Sequence, residues 1–93
     1  MDPSDTAREQ LPDWTLDDDG IHRAFEVADY GAAMALTVRI ALEAQRRNHH
    51  PDITVGWGRV EVSLVTHDAD STVTDKDVDL AGWIDQAVAG DSA

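Results

Sequence analysis

Hydrophobic and polar residues alternate along some stretches of this chain and step by helical spacing along others. Ile21, Arg23, Phe25 and Val27 alternate with His22, Ala24 and Glu26, the period-two pattern of a strand with one buried face. Asp17-Asp18-Asp19-Gly20 before it is turn chemistry, which makes Asp13 to Leu16 the partner strand of a hairpin. A helix follows from Asp29, a good N-cap, to Arg47: Tyr30, Met34, Val38 and Leu42 step by four, and Leu36 and Ile40 widen the stripe. Arg46 and Arg47 suit its negative C-terminal end, and Asn48 and Pro51 stop it. Ile53, Val55 and Trp57, then Val60, Val62 and Leu64, mark two more strands joined around Gly56 to Arg59. Asp68 to Ser71 reads as a turn-rich link. Thr74 then caps a last helix, with Asp77 in a capping-box position, Leu80, Ala81, Ile84 and Val88 on the buried side and Gly90 just past its end.

The order strand, strand, helix, strand, strand, helix predicts an α+β fold: a four-stranded antiparallel sheet with two main helices on one face. Residues 1–12 are polar and hold two prolines, so the expectation there is a loose arm with at most a short helical turn. That divides the chain into a flexible arm over residues 1–10, a single domain over 11–89 and a tail over 90–93. A chain of 93 residues has room for one core only, and 13 of its apolar residues are alanine, so sharing an interface with a second copy would help it.

Charge narrows the class of partner. Nineteen acidic against seven basic residues give a net charge of -12, which argues against nucleic acid and anionic membrane surfaces as partners. No apolar run is long enough to span a bilayer, and the start of the chain is acidic and polar, so the expected location is the cytoplasm. The acidity consists of 15 Asp and 4 Glu against a single lysine, Lys76, and fits either a solvated surface or adaptation to high salt. With no cysteine present, chemistry must come from histidine, carboxylates, hydroxyls or backbone.

Three of the four histidines fall in one region. His49 and His50 sit at the helix-to-strand junction and His67 just after the last strand; hairpin pairing of the two strands brings His67 beside the His49-His50 loop. Imidazole titrates near neutrality, so such a cluster can move protons. A polar helix terminus is the plain alternative. A metal site from His49, His50, His67 and Asp52 is disfavoured because consecutive residues of extended chain project apart. Trp57 reads as core or as an aromatic stacking on a flat heterocycle, Trp14 is similarly ambiguous, Trp83 reads as packing or interface, and His22 as surface.

Asn48-His49-His50-Pro51-Asp52, Trp57, Thr66-His67-Asp68, Thr74-Asp75-Lys76-Asp77 and Leu80-Ala81, at these spacings, resemble the pterin-4a-carbinolamine dehydratases. Upstream, Trp14, Ile21-His22-Arg23-Ala24-Phe25 and Asp29-Tyr30 are similar to that family's tryptophan, strand and helix start, so the likeness covers residues 11 to 88. It implies an α+β fold that assembles as a homodimer or homotetramer through sheet edges and helices. The implied reaction is dehydration of 4a-hydroxytetrahydropterin, left by aromatic amino acid hydroxylases, to quinonoid dihydropterin, with no metal or organic cofactor. By the same resemblance His49, His50 and His67 are the active-site histidines, Pro51 shapes their loop, Trp14 is a wall against the pterin ring and Trp57 a supporting aromatic.

Expelling the 4a-hydroxyl needs a proton delivered to oxygen and one removed from N5. His49 and His67 are assigned as that acid/base pair and His50 as a hydrogen-bond partner of substrate, with backbone around Glu61 to Ser63 facing the pterin's amide edge. Two departures from the family stand out. Gln45 replaces a charged residue, commonly Glu, four positions before His49, and can orient a histidine without shifting it by charge. The link from His67 to Asp77 lacks the family's glycine turn and is one residue longer. The competing reading is a dehydratase-like binding or assembly factor for a protein partner, as some relatives are.

Overall fold

A computed structural model describes residues 2–67 and 72–92. In chain order the elements are α1 (Pro3–Gln10), β1 (Thr15–Asp17), β2 (Gly20–Glu26), α2 (Tyr30–Arg47), β3 (Asp52–Gly56), β4 (Arg59–Leu64) and α3 (Asp75–Ser92). The four strands form one antiparallel sheet in the order β1-β2-β4-β3, so the architecture is the expected α+β fold. Register fixes the faces: Ile21 pairs with Leu64, Arg23 with Val62 and Phe25 with Val60, all towards the helices. The alternate set, His22 with Ser63 and Ala24 with Glu61, faces away from them.

Gly20 closes the first hairpin. Its φ of +125° is open to glycine, and a Cβ there would lie 2.2 Å from the Leu64 carbonyl oxygen. The close approach of β2 to the end of β4 that this permits sets where the chain leaves the sheet, two residues before Thr66.

Three local expectations differ from the structure. Residues 3–10 form a helix of about two turns rather than a loose arm: Asp2 accepts from the Asp5 N–H (3.0 Å), Pro3 opens the helix, where its fixed φ is favourable, and Ala7 and Leu11 enter the core. Gly90 does not end α3, which runs on to Ser92. The third difference concerns α2, which turns Ala33, Leu36, Ile40 and Ala44 to the sheet and leaves Tyr30, Met34, Val38 and Leu42 exposed, the last at 67%. The two stripes lie on different faces of the helix, and the small residues at 33 and 44 let it lie close to β3 and β4. Burying Leu36 and Ile40 contributes about 1.5–3 kcal/mol each. The expected link over 68–71 falls outside the described residues.

Candidate active site

The end of α2 builds one wall. Asn48 adopts the left-handed conformation (φ 52°), which asparagine tolerates, and the next amide, His49 N–H, donates back to the Ala44 carbonyl (3.1 Å). The chain therefore turns inward at His49, which is buried at 8% exposure, and outward again at His50. The start of α3 builds the opposite wall and supplies a residue that the sequence pattern marks only as a cap: Asp77, fully buried.

His49 Nε2 donates to Asp77 Oδ1 (2.5 Å). Asp77 Oδ2 accepts from the Thr66 hydroxyl (2.8 Å) and from the Thr74 N–H (2.8 Å), the latter being half of the capping box that the spacing predicts. Thr66 spends its one hydroxyl proton on Asp77, so the Thr74 hydroxyl donates to Thr66 Oγ1 (2.6 Å). The buried carboxylate thus meets donors from three directions. Donation from Nε2 fixes the His49 tautomer and leaves Nδ1 outside this hydrogen bond. The signal for Asp77 was visible as a carboxylate three residues after a capping threonine; what the sequence lacked was the knowledge that His49 reaches it.

His50 Nε2 donates to Gln45 Oε1 (2.9 Å), so Gln45 orients His50 rather than His49. His67 stands exposed just after β4. All three histidines, with Asn48, Thr66 and Lys76, line one cavity of about 160 Å³. Hairpin pairing of β3 with β4 brings them together as expected, with Asp52 opposite Ser63. Pro51 is half-buried directly behind His50, and Asp52 is exposed.

The two tryptophans do not join this cavity. Trp14 is a core residue: it meets Phe25 edge-to-face (centroids 6.3 Å apart, 75° between planes), donates from Nε1 to Asp85 Oδ1 (2.9 Å) and lines a separate cavity between α1 and β1 with Leu11 and Leu16. Arg23 shares Asp85 (2.7 Å) and lies over the Phe25 ring, so this corner ties β2 to α3. Trp57 is 72% exposed at the β3–β4 turn, roughly 17 Å of strand from the histidine loop. The Glu61 to Ser63 backbone is also engaged: β4 is central, and its main chain pairs with β2 on one side and β3 on the other. His22 is half-buried rather than freely exposed, with Nδ1 on Ser63 Oγ (2.7 Å) and Nε2 on Asp17 Oδ1 (2.9 Å).

Comparison with known proteins shows the family. The family model described as pterin 4 alpha carbinolamine dehydratase matches residues 2–87. A relative from Nocardia farcinica that carries the dehydratase name is 44% identical over 81 residues, 87% of this chain and 84% of its own. One from Chloroflexus aurantiacus, named likewise, is 43% identical over 77 residues, covering 83% and 82%. Among solved structures, a transcriptional coactivator/pterin dehydratase from Brucella melitensis superposes with a TM-score of 0.81 at 29% identity, covering 89% of each chain. On these matches, the chain belongs to the pterin-4a-carbinolamine dehydratase family of hydro-lyases.

Proposed function

We propose that the protein dehydrates 4a-hydroxytetrahydropterin to quinonoid dihydropterin by histidine acid/base catalysis, in the cytoplasm, as a step of tetrahydropterin recycling. The observation that carries this reading is the convergence of His49, His50 and His67 on one cavity, with His49 held by the buried Asp77. Loss of the 4a-oxygen as water requires one proton in and one out, and forms the C4a=N5 double bond. One imidazole of the pair His49 and His67 donates to the leaving oxygen while the other accepts the N5 proton; their protonation states then exchange before the next turnover. Pinned through Nε2, His49 offers Nδ1 for its half of that exchange. His50, pinned by Gln45, hydrogen-bonds the ring, and Pro51 holds the loop. Trp14 and Trp57 contribute through the fold and its surface rather than as walls of the histidine cavity.

The exposed stripe Tyr30, Met34, Val38 and Leu42 supports assembly as a homodimer or homotetramer, since a helix with two apolar faces needs two partners and the sheet supplies one. The same stripe is what favours the second reading, a binding factor for another protein, and the Brucella relative is called a coactivator as well as a dehydratase. Kinetics separate the two. Freshly generated 4a-hydroxytetrahydropterin, followed by ultraviolet absorbance, is expected to lose water faster with wild type, and His49→Ala and His67→Ala are each expected to lose about 10²-fold or more of that acceleration. A wild type that leaves the spontaneous rate unchanged refutes the enzyme and keeps the binding factor. In light scattering Leu42→Glu is expected to give a smaller species than wild type.

A further inference from the structure

The histidine cavity has an unusual lining for this chain. Although 19 of 93 residues are acidic, no carboxylate among the described residues lines it; Asp77 lies beneath His49, and the cavity presents three imidazoles and the chain's single lysine, Lys76. The arginines are otherwise engaged: Arg8 with Asp5, Arg23 with Asp85, Arg46 and Arg47 with Glu43, Arg59 with Glu61, and Arg39 with a partner of its own. Lys76, in contrast, makes no ion pair among the described residues, although Asp75 precedes it in the sequence. Its place in the first turn of α3 sets a positive charge against the positive end of the helix, an unfavourable choice by local rules.

Size adds a second constraint. At about 160 Å³ the cavity is smaller than the roughly 300–1,000 Å³ of most ligand sites, so it cups one edge of a bicyclic ring and leaves the ring's substituent outside. His49 and Thr66 are buried members of the lining, while His50, His67 and Lys76 are on the solvent side. An unpaired ammonium is therefore available at the solvent side of the cavity.

We infer that Lys76 selects a pterin whose side chain carries an anionic group, a carboxylate or a phosphate ester, over one with a neutral side chain. The inference rests on the dehydratase reading and specifies its substrate class. A chain of net charge -12 repels anions at long range, but that repulsion fades beyond a Debye length of about 8–10 Å, and at contact distance the lysine dominates. Lysine suits both anions as a mobile point charge, so carboxylate and phosphate are separate arms of the test.

The experiment compares kcat/KM for the 4a-hydroxy derivatives of 6-methyltetrahydropterin, of a tetrahydropterin with a carboxylate on its C6 side chain, and of one with a phosphate ester there. Wild type is expected to favour at least one anionic substrate over the methyl compound by about fivefold, the scale of one partly exposed ion pair. Lys76→Gln is expected to abolish that ratio through KM, and Lys76→Arg to retain most of it. Melting temperatures check that the variants are folded. A wild-type ratio near one, or a ratio that survives Lys76→Gln, overturns the inference and leaves the dehydratase intact, whereas no acceleration of any of the three substrates overturns both. The non-reactive pterin-6-carboxylate, titrated by fluorescence, adds a readout free of turnover: its affinity should fall about fivefold in Lys76→Gln, and unchanged affinity counts against the inference.

Discussion

Two histidine–carboxylate pairs lie on opposite sides of the sheet, similar in chemistry and different in surroundings. On the helix side, His49 meets Asp77, whose second oxygen takes the Thr66 hydroxyl; on the open side, His22 bridges Asp17 and the Ser63 hydroxyl. The side chains of the first pair are 10% and 0% exposed, and those of the second 29% and 52%. Burial changes what each hydrogen bond is worth. Around Asp77 a lost bond leaves a donor with no water to replace it, whereas around Asp17 water takes the vacated place. The buried pair can therefore hold an imidazole in one tautomer through a reaction, while the open pair fastens β1 to β2 and β4.

The largest effect expected from this contrast is on Asp77. Asp77→Ala strands the His49 N–H, the Thr66 hydroxyl and the Thr74 N–H, each at about 1–3 kcal/mol, so urea unfolding should show a loss of at least about 3 kcal/mol. Asp77→Asn separates position from packing. An amide can turn its oxygen to His49 or to the two threonine donors but not to both, so a smaller loss of stability should accompany a fall of about 10²-fold in activity with an altered pH profile. On the open face, Asp17→Asn should leave both the urea midpoint and the rate where they were. Equal losses at the two sites would show that burial does not rank them.

Gly20 comes next, because it serves both pairs: it opens the strand that carries His22 and lies against Leu64, two residues before Thr66. Gly20→Ala adds a Cβ 2.2 Å from a carbonyl oxygen at a φ of +125°, and the strain should cost about 2 kcal/mol by urea unfolding. The rate should fall with it if the close approach positions Thr66 and His67, and should hold if only the hairpin adjusts. A third and smaller effect is expected at Gln45. Gln45→Ala frees His50 from its side-chain anchor on α2 and should raise KM about fivefold with little change in kcat, read from initial rates.

How much of this was legible in the sequence follows from the length over which each signal acts. Alternation in β2 and β4, the Asp29 and Asn48 caps and the histidine spacing are short-range, and they placed the sheet, α2 and the cavity. The apolar spacing of α2 does not say which side is buried: close packing on the sheet selects Ala33 and Ala44 beside Leu36 and Ile40 and leaves Leu42 outside. Resemblance alone assigns Trp14 and Trp57 to the site, and the fold places one in the core and the other at a hairpin tip. Asp77 meets His49 across 28 positions of chain, a contact that no local pattern encodes.

A third cluster tests whether burial or charge sets the ranking. Arg46 and Arg47 hold the Glu43 carboxyl down to about 2 through side-chain hydrogen bonds. Glu43 is itself largely covered (11% exposed), but its cover includes Arg46, which is 69% exposed, so the cluster stays in contact with water rather than with the core. The folded-state pKa lies below the usual 4.5, so the carboxylate's contribution is fully present above about pH 4.5 and is lost as pH falls towards 2. Urea midpoints of wild type and Glu43→Gln should therefore differ slightly at pH 7 and converge in acid, with a gap at pH 7 well below that of Asp77→Asn. A Glu43→Gln loss at pH 7 equal to that of Asp77→Asn would mean that the arginine pairing, and not removal from water, governs how much a carboxylate contributes in this fold.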